Sequence, residues 1–354
     1  MKLELNFFEV LSAGDKELVH SSMIKLLLEN EQTQKELLNF FSIEKKGDNL
    51  VIEKEWKIEK NRYDLYFKFS DGTECVIENK FKAIPTFEQI ERYKAENRQI
   101  ILLVFCADFI TGFNDSVDSN FKTLSYLSFT NKNKSILSIL IDFVKEHGSD
   151  TSDFMILTRH YCYYLCGFKK RIQHAIISDK INFNDILEYK DVFIMRNYLF
   201  HLQAEIINLL AANKNELFKF WKHHNDGGTN RNPCVSFFGP EGSYQIFIEF
   251  QGASLKAGLL FSVTKFDTAA KEKVENIKRS MIEAVKNHKN DFEVLGKDNL
   301  ELGEHKKIRK IKENKSSSSS MAFKFDLSKA IVSKQSLFSD IVKMMESLQL
   351  VNNY

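Results

Sequence analysis

The sequence predicts a mixed α/β protein, and three observations support this fold class. Residues 15–106 show the order helix, three strands, helix, strand. Residues 99–106 (QIILLVFC) form a nearly continuous apolar run, which is typical of a strand buried on both faces. Strand-like segments reappear after a long helical stretch, from residue 234 onward. Because a strand that follows a helical crossover usually lies parallel to a neighbour, we expect a mixed sheet near the N-terminus.

Hydrophobic spacing defines the elements of this N-terminal part. Residues 15–41 have the periodicity of one or two helices, with Asp15 as a candidate N-cap. Three segments alternate like strands: residues 50–58, 62–69 and 74–80. The sequence SDGT between the last two is a turn signal. Thr86 and Gln89 have the spacing of a capping box, so a helix is expected from there to about residue 97.

The remainder of the chain is predicted to form a helical segment followed by an α+β part. Residues 131–220 contain helix-like stretches, and NDGGTNRNP at residues 225–233 is a strong break. Three strands, a helix over 267–289, the strand MAFKFDL and a helix over 328–349 follow. The serine run at residues 316–320 is interpreted as a flexible loop.

The predicted organisation therefore has three parts. An α/β core covers residues 1–130, a helical segment covers 131–224, and an α+β domain of unknown role covers 225–354. Each part is long enough to contribute buried apolar surface, since domains of about 100 residues fold around cores of their own.

Composition and charge exclude several classes of protein. Apolar residues make up 43% of the 354-residue chain, which is too many for a disordered protein. The five cysteines form no CxxC pair, so a zinc ribbon is not expected and a reducing cytoplasm fits best. No signal peptide is recognisable, and no apolar run reaches the roughly 20 residues that a membrane span needs. The formal net charge of +2 neither requires nor excludes a nucleic-acid partner.

Charged residues interrupt the apolar pattern of the predicted hairpin. Asp64 lies on its first strand, and Glu78 lies on its second. If the connection has odd length, Asp64 lies across from Glu78 and Arg62 across from Lys80; with even length, the two carboxylates face opposite ways. Opposed side chains are about 5 Å apart at Cβ, where two carboxylates repel unless a cation lies between them. Mg²⁺ accepts one or two carboxylates together with water and substrate oxygens.

The spacing of these residues resembles a known signature. Asp64, followed after thirteen residues by Glu78, Asn79 and Lys80, is similar to the motif of the PD-(D/E)XK nuclease superfamily. The resemblance is close over residues 1–130 and implies a restriction-endonuclease-like mixed-sheet core. It departs from the family pattern at Tyr63, where the motif has a proline, and at Asn79, where an apolar residue is common.

Flanking sequences strengthen this resemblance. QIERY at residues 89–93 resembles the QxxxY element of the exonuclease and recombination-nuclease branch. The stretches ELVHSSMIKLLL, RYDL and IENK together resemble a largely uncharacterised bacterial group within the superfamily.

The resemblance implies roles for individual residues. Asp64 and Glu78 would hold Mg²⁺ or Mn²⁺, with Glu17 of the first helix as an additional ligand. Lys80 would orient the attacking water or stabilise charge that develops on the phosphate. Glu17 also has a simpler explanation, as a surface acidic residue that the helix dipole favours in the first turn.

Gln89 and Tyr93 are four residues apart, so one helical face presents both. The resemblance implies that they position the scissile phosphate or brace Lys80. The simpler explanation is that Gln89 only completes a capping box and that Tyr93 only packs in the core.

Several basic residues are candidates for contact with a phosphate backbone. They are Lys169, Lys170 and Arg171 in one cluster, Lys307, Arg309 and Lys310 in a second, and Arg62 on the hairpin. Basic side chains at such positions add affinity that depends on salt and not on base sequence. A solvated charged surface without a ligand is the alternative for both clusters.

These observations predict a cytoplasmic, metal-dependent nuclease that does not contact a membrane. The resemblance favours DNA over RNA as the substrate and, by analogy, a role in phage defence or DNA processing. An alternative is a nucleic-acid-binding or effector-sensing protein with a dormant nuclease core. A third interpretation is a helical interaction protein with a chance motif. A homodimer is one option for the oligomeric state, which the sequence leaves open.

Overall fold

The computed structural model describes most of the chain and divides it into two compact units. The described residues are 7–10, 17–44, 50–58, 61–81, 87–96, 98–107, 120–129, 134–182, 192–212, 222–224, 234–238, 245–262, 268–295, 317–327 and 331–351. The first unit covers Met1–His174 and the second covers Ala175–Tyr354. The three-part organisation at 1–130, 131–224 and 225–354 stays a prediction.

The first unit contains a five-stranded sheet with helices before and after it. The preceding helices are α1 (Phe7–Val10), α2 (Glu17–Glu29) and α3 (Glu31–Phe41). The strands are β1 (Leu50–Ile58), β2 (Asn61–Phe69), β3 (Glu74–Lys80), β4 (Gln99–Val104) and β5 (Phe121–Ser125). Helix α4 (Phe87–Lys94) connects β3 to β4, and α5 (Ile136–Glu146) and α6 (Asp153–Ile177) follow the sheet.

The strands lie in the order β1-β2-β3-β4-β5, and the sheet is mixed as predicted. Strands β1, β2 and β3 are antiparallel neighbours, whereas β4 and β5 are each parallel to the preceding strand. The helical crossover through α4 accounts for the change of direction, because parallel neighbours need such a connection. Strand β5 was not predicted from the sequence.

Burial within the sheet follows the apolar pattern. Residues Ile100 to Val104 of β4 are at most 2% exposed, which confirms a strand covered on both faces. One face of the sheet packs against α4 through a core cluster that includes Tyr66, Val76, Ile90 and Tyr93. Helix α2 packs on the opposite face against β1, β2 and β3.

Local capping explains where the helices begin and end. The Asn30 side chain accepts a hydrogen bond from the Gln32 backbone N–H at 3.0 Å, and this cap separates α2 from α3. Ser42 ends α3 in the left-handed conformation, with a φ of 55°. Helix α4 begins at Phe87, and the predicted capping residue Thr86 lies outside the described residues.

The second unit contains an antiparallel sheet and long helices. Its strands are β6 (Lys180–Asn182), β7 (Lys222–His224), β8 (Cys234–Phe238), β9 (Gln245–Gln251), β10 (Ser254–Ser262), β11 (Ser317–Asp326) and β12 (Ile331–Ser333). Five of them form a sheet in the order β11-β10-β9-β8-β7, and β12 pairs with β6. The helices are α7 (Val192–Ala212), α8 (Thr268–Asn287) and α9 (Lys334–Val351), with a short 3-10 helix at Lys289–Asp291.

The serine run corrects one prediction. Ser317 to Ser320 belong to β11 and pair with residues Leu259 to Ser262 of β10, whereas the sequence suggested a flexible loop. Pairing with a neighbouring strand supplies the backbone hydrogen bonds, so a sequence with weak strand propensity still becomes part of a sheet. In the part of the chain that the structure describes, no helix combines the length and apolar character needed to cross a bilayer.

Candidate active site

The hairpin register places the two predicted carboxylates across from each other. The β2–β3 ladder pairs Lys68 with Glu74 and continues to Leu65 with Ile77. The next position on β2 is Asp64 and the next on β3 is Glu78. The expected odd-length connection is therefore confirmed. Because both carboxylates lie on the sheet face that α4 covers, the interpretation of the motif as a chance pattern in a helical protein is wrong.

The connection itself explains this register. The Phe69 N–H donates to Thr73 O at 2.9 Å, and the Gly72 N–H donates to Phe69 O at 3.0 Å. The Asp71 carboxylate accepts hydrogen bonds from both the backbone N–H and the hydroxyl of Thr73, each at 2.8 Å. Gly72 has a φ of 89°, which favours glycine at the left-handed position of a three-residue hairpin loop.

Asp64 is a half-buried carboxylate at the end of the paired part of the hairpin. Its Oδ2 accepts a hydrogen bond of 2.7 Å from the Asn79 backbone N–H. Burial and the neighbouring Glu78 carboxylate raise the pKa of Asp64 to about 6, although this hydrogen bond and Lys80 act in the opposite direction. Glu17 raises it further, so the charge of Glu17 reaches this site.

Glu78 and Lys80 form a shielded ion pair on β3. Lys80 Nζ lies 2.7 Å from Glu78 Oε1, and the two side chains are 14% and 8% exposed. Burial by itself would lower the pKa of Lys80, but Glu78, Glu17 and Asp64 together raise it above its ordinary value. The lysine therefore remains a cation among three carboxylates.

Helix α4 brings Tyr93 to the same carboxylate. Tyr93 is 4% exposed, and its hydroxyl lies near the Glu78 side chain. Burial and this negative charge raise the pKa of Tyr93 well above its usual value. Gln89 lies one turn earlier on α4 and is half-buried. The roles expected of Gln89 and Tyr93, positioning the scissile phosphate or bracing Lys80, stay predictions.

Helix α2 meets the site through Asn79, whose side chain lies on the opposite sheet face from Glu78. Asn79 Nδ2 donates to the backbone oxygen of Glu17 and to Ser21 Oγ, both at 2.9 Å. Asn79 is 1% exposed, so these bonds are shielded from water. The sequence signalled this residue as a polar group in an apolar strand, but it did not identify the partners.

Buried aromatic residues pack beside α2 next to the candidate site. His20 is fully buried, stacks on Phe81 at a centroid distance of 3.4 Å, and hydrogen-bonds the Tyr161 hydroxyl through Nδ1 at 2.6 Å. Tyr126 is also fully buried, and burial together with Tyr161, Asp64 and Glu17 raises its pKa well above the usual value. Nothing in the local sequence signals the burial of Tyr126, because its ring contacts His20 and Phe81, which are far away in the chain.

Comparison with known families agrees with this geometry. Residues 5–163 match the family model of the PD-(D/E)XK nuclease superfamily. These residues belong to that superfamily. A search of curated proteins and a search of solved structures found no match to the chain. The match extends past β5 into α6, so it includes the sheet, α4 and the helices on both sides of the sheet.

The PD-(D/E)XK superfamily typically uses Mg²⁺, and the donor set is compatible with this ion. Among the described residues, no group of three or more His, Cys, Asp or Glu side chains has the arrangement of a complete metal site. Mg²⁺ does not need such a group, because it binds through one or two carboxylates and takes its other ligands from water and substrate. Asp64 and Glu78 are the two carboxylates that could hold such an ion.

The residues predicted to contact nucleic acid lie at different places in the structure. Arg62 is exposed and forms an ion pair with Glu55 on β1. Glu55 lies at the position across from Asp64 and has a φ of 55°, which is strained for a non-glycine residue. Asp64 therefore has an acidic residue across from it on each adjacent strand: Glu55 on β1 and Glu78 on β3.

The cluster Lys169, Lys170 and Arg171 lies on α6 within the first unit. The Arg171 guanidinium carbon is 4.6 Å from the centre of the Phe168 ring, and Phe168 contacts Phe81 at a centroid distance of 5.8 Å. Because Phe81 follows Lys80 directly, a chain of aromatic contacts links this cluster to the site. Lys307, Arg309 and Lys310 lie outside the described residues.

Proposed function

We propose that this protein is a metal-dependent nuclease that hydrolyses phosphodiester bonds of DNA. The observation that supports the proposal is the convergence of Asp64, Glu78 and Lys80 where the β2–β3 ladder ends. Two carboxylates and one ammonium at the ends of two neighbouring interior strands are groups suited to phosphodiester hydrolysis with a divalent cation. By analogy with the superfamily, the biological role is phage defence or DNA processing.

Asp64 and Glu78 would hold Mg²⁺ or Mn²⁺, and Glu17 would complete the set of carboxylates. A bound divalent cation polarises a phosphate oxygen and lowers the pKa of its bound water. The Tyr93 hydroxyl would orient Glu78, and the hydrogen bond from the Asn79 N–H holds Asp64 in place. Preorganisation of both carboxylates lowers the cost of assembling the site around a substrate.

Lys80 supplies the positive charge of the protein at the reacting phosphate. Its pKa is raised, so the side chain stays protonated at neutral pH and can donate hydrogen bonds but cannot act as a base. We assign it to orienting the attacking water and stabilising negative charge on the phosphate. Gln89 on α4 would position the scissile phosphate.

The basic residues of α6 would hold the sugar-phosphate backbone. Lys170 and Arg171 are exposed and Lys169 is half-buried, so the three cationic side chains lie at the surface of α6. Their contribution is expected to be independent of base sequence, because phosphate contacts position a nucleic acid without reading it. Arg62 would contact a phosphate only after its ion pair with Glu55 breaks.

A cleavage assay tests the proposal. Purified protein is incubated with single- and double-stranded DNA and RNA, with Mg²⁺ or Mn²⁺, at several salt concentrations. We expect cleavage of DNA by the wild type and none by Asp64→Ala, Glu78→Ala or Lys80→Ala. The matched controls are Lys68→Ala and Glu74→Ala, because this pair lies on the same hairpin at 2.7 Å but is exposed. Both controls should retain activity.

One result would favour a different function. A folded wild type that leaves every one of these nucleic acids intact with both metals would indicate a nucleic-acid-binding or effector-sensing protein with a dormant core. Equal loss of activity in the Lys68→Ala and Glu74→Ala controls would also contradict the assignment, because the site residues would then have no special role.

A further inference from the structure

A tryptophan lies next to the strand position of Asp64, at the edge of the sheet. Trp56 is on β1, which is the first strand in the sheet order. It pairs with Tyr63, which directly precedes Asp64 on β2. Its ring stacks on Tyr66, two positions after Asp64, with a centroid distance of 4.6 Å and an interplanar angle of 12°. The two contacts of Trp56 therefore flank Asp64 along β2.

The local backbone turns Trp56 toward the sheet face that carries the candidate site. Lys54 Nζ donates to Ser22 Oγ on α2 at 3.1 Å, so the Lys54 side chain lies on the α2 face. Strict alternation would place Trp56, two positions later, on that same face. Instead, it packs with Tyr66 in the core cluster on the α4 face. Glu55, between Lys54 and Trp56, has a φ of 55°, and this interruption of the strand redirects the tryptophan.

The redirected ring is supported from one side. Tyr66 and Tyr63 are 6% and 1% exposed, and Tyr63 contacts Tyr93 of α4 at a centroid distance of 6.3 Å. Trp56 itself is half-buried, so part of the indole is accessible to a ligand. A ring that its neighbours already hold loses little conformational entropy when another ring stacks on it. Positive φ at a non-glycine residue such as Glu55 is costly and tends to occur at functional sites.

We propose that Trp56 is a specificity-determining residue that stacks on an unpaired base of the substrate strand, beside the phosphate at Asp64 and Glu78. This inference deepens the proposed nuclease function and rests on it. Every base has a π-face, so an aromatic ring accepts bases without reading their sequence. A base inside a duplex is already paired and stacked, and it must leave the stack before Trp56 can contact it. The substrate is therefore a single strand or a frayed end.

Intrinsic fluorescence tests the contact without altering Trp56. The chain has two tryptophans, and Trp221→Phe leaves Trp56 as the only indole. With a chelator present to prevent cleavage, a short oligothymidylate should quench the emission in a saturable manner, because a stacked base quenches an indole. An abasic oligonucleotide of equal length carries the same phosphates and should not quench. Unchanged emission while anisotropy shows that oligothymidylate is bound would overturn the proposal.

Substitution of Trp56 separates base stacking from a structural role. For Trp56→Leu we expect affinity for oligothymidylate to fall about ten-fold, within the range of base–aromatic stacking, and affinity for the abasic oligonucleotide to stay the same. Trp56→Phe keeps an aromatic ring and should lose less. Phe40→Leu, which removes a half-buried aromatic ring from α3, is the matched control and should bind both oligonucleotides like the wild type. If Trp56→Leu does not fold, the quenching measurement decides.

The outcomes separate this inference from the function on which it rests. Quenching by oligothymidylate in a protein that cleaves no nucleic acid overturns the nuclease function and supports the base contact. A wild type that cleaves DNA, together with a Trp56→Leu variant that loses equal affinity for both oligonucleotides, overturns only the stacking role. A protein that binds neither oligonucleotide overturns both.

Discussion

Lys80 Nζ lies 2.7 Å from Glu78 Oε1, and both side chains are largely shielded from solvent. In the absence of a metal, the lysine is the cation nearest to this carboxylate. A divalent ion that binds Glu78 therefore competes with Lys80, and the released ammonium becomes available to a phosphate. Removing the lysine leaves a buried negative charge without its partner, which is usually far more costly than losing a surface pair.

The first prediction concerns stability of the Lys80→Met variant. Without metal, we expect the free energy of unfolding to fall by about 3 kcal/mol, because Glu78 stays buried without a countercharge. Mn²⁺ should raise the unfolding temperature of this variant more than that of the wild type, since the ion replaces the missing cation. Calorimetric or fluorescence unfolding with and without Mn²⁺ measures both effects.

Lys68→Met is the control for this experiment. Lys68 pairs with Glu74 at the same distance, but both side chains are exposed, so its loss should change stability by less than about 1 kcal/mol. Identical Mn²⁺-induced shifts in Lys80→Met and wild type would contradict competition between the lysine and the metal.

The second prediction concerns the dependence of stability on pH through Asp64. Its pKa rises from 3.8 to about 6 on folding. Between these values the unfolded chain has already released a proton that the folded chain still holds, so this group lowers stability as pH increases from about 4 to 6. Above about pH 6 this group lowers the free energy of unfolding by its full amount, on the order of 3 kcal/mol, and below about pH 4 this destabilisation disappears.

Asp64→Asn should remove this dependence. The asparagine oxygen can still accept the Asn79 N–H, so the variant is expected to equal the wild type near pH 4 and to exceed its stability at pH 7, while losing nuclease activity. Urea unfolding in the presence of a chelator measures the difference. A variant that is less stable than the wild type at pH 7 would show that Asp64 stabilises the fold when ionised.

The sequence was sufficient to predict the hairpin register but not the environment of the site. SDGT and the alternation of strands β2 and β3 are local signals, so they determine which faces Asp64 and Glu78 occupy. Asn79, in contrast, bonds residues about sixty positions earlier in the chain, and no local pattern specifies such partners. Local composition also failed for Ser317 to Ser320, which it assigned to a loop. These residues form a strand because they pair with β10, a segment distant in the sequence.

The third prediction separates the roles of the two α4 residues. Tyr93→Phe removes the hydroxyl near Glu78, which we propose orients this carboxylate, and should weaken Mn²⁺ binding and lower kcat. Gln89→Ala should leave Mn²⁺ binding unchanged and raise KM for DNA if the amide contacts the phosphate. Metal titration and steady-state kinetics on the two variants distinguish these effects. Wild-type Mn²⁺ affinity in Tyr93→Phe would indicate that Tyr93 only packs in the core.

The fourth prediction concerns the basic cluster on α6. Replacing Lys169, Lys170 and Arg171 with alanine should weaken DNA binding uniformly across sequences and reduce the slope of log affinity against log salt by up to about three. A control with Lys35→Ala and Lys145→Ala alters two exposed lysines elsewhere in the first unit. Equal slopes for the cluster variant and the wild type would show that these residues form only a solvated surface.

The fifth prediction concerns Asp340, a fully buried carboxylate on α9 in the second unit. Its two oxygens accept hydrogen bonds from the backbone N–H groups of Glu293, Val294 and Leu295, at 2.9, 2.6 and 2.9 Å. These three donors follow the 3-10 helix that comes after α8. The Asp340 carboxylate therefore holds α9 against the segment that follows α8. Nothing in the local sequence signals this contact, because the partners are more than forty positions apart.

Asp340→Ala leaves three backbone donors without an acceptor, and we expect the free energy of unfolding of this unit to fall by at least about 3 kcal/mol. Asp340→Asn keeps one acceptor oxygen and should lose less. Ser339→Ala, at an exposed position on the same helix, is the control and should be nearly neutral. Hydrogen exchange at residues 293–295 reports the effect directly. Unchanged protection of these amides in Asp340→Ala would contradict the proposed fastening, whereas accelerated exchange confined to Asp340 variants would support it.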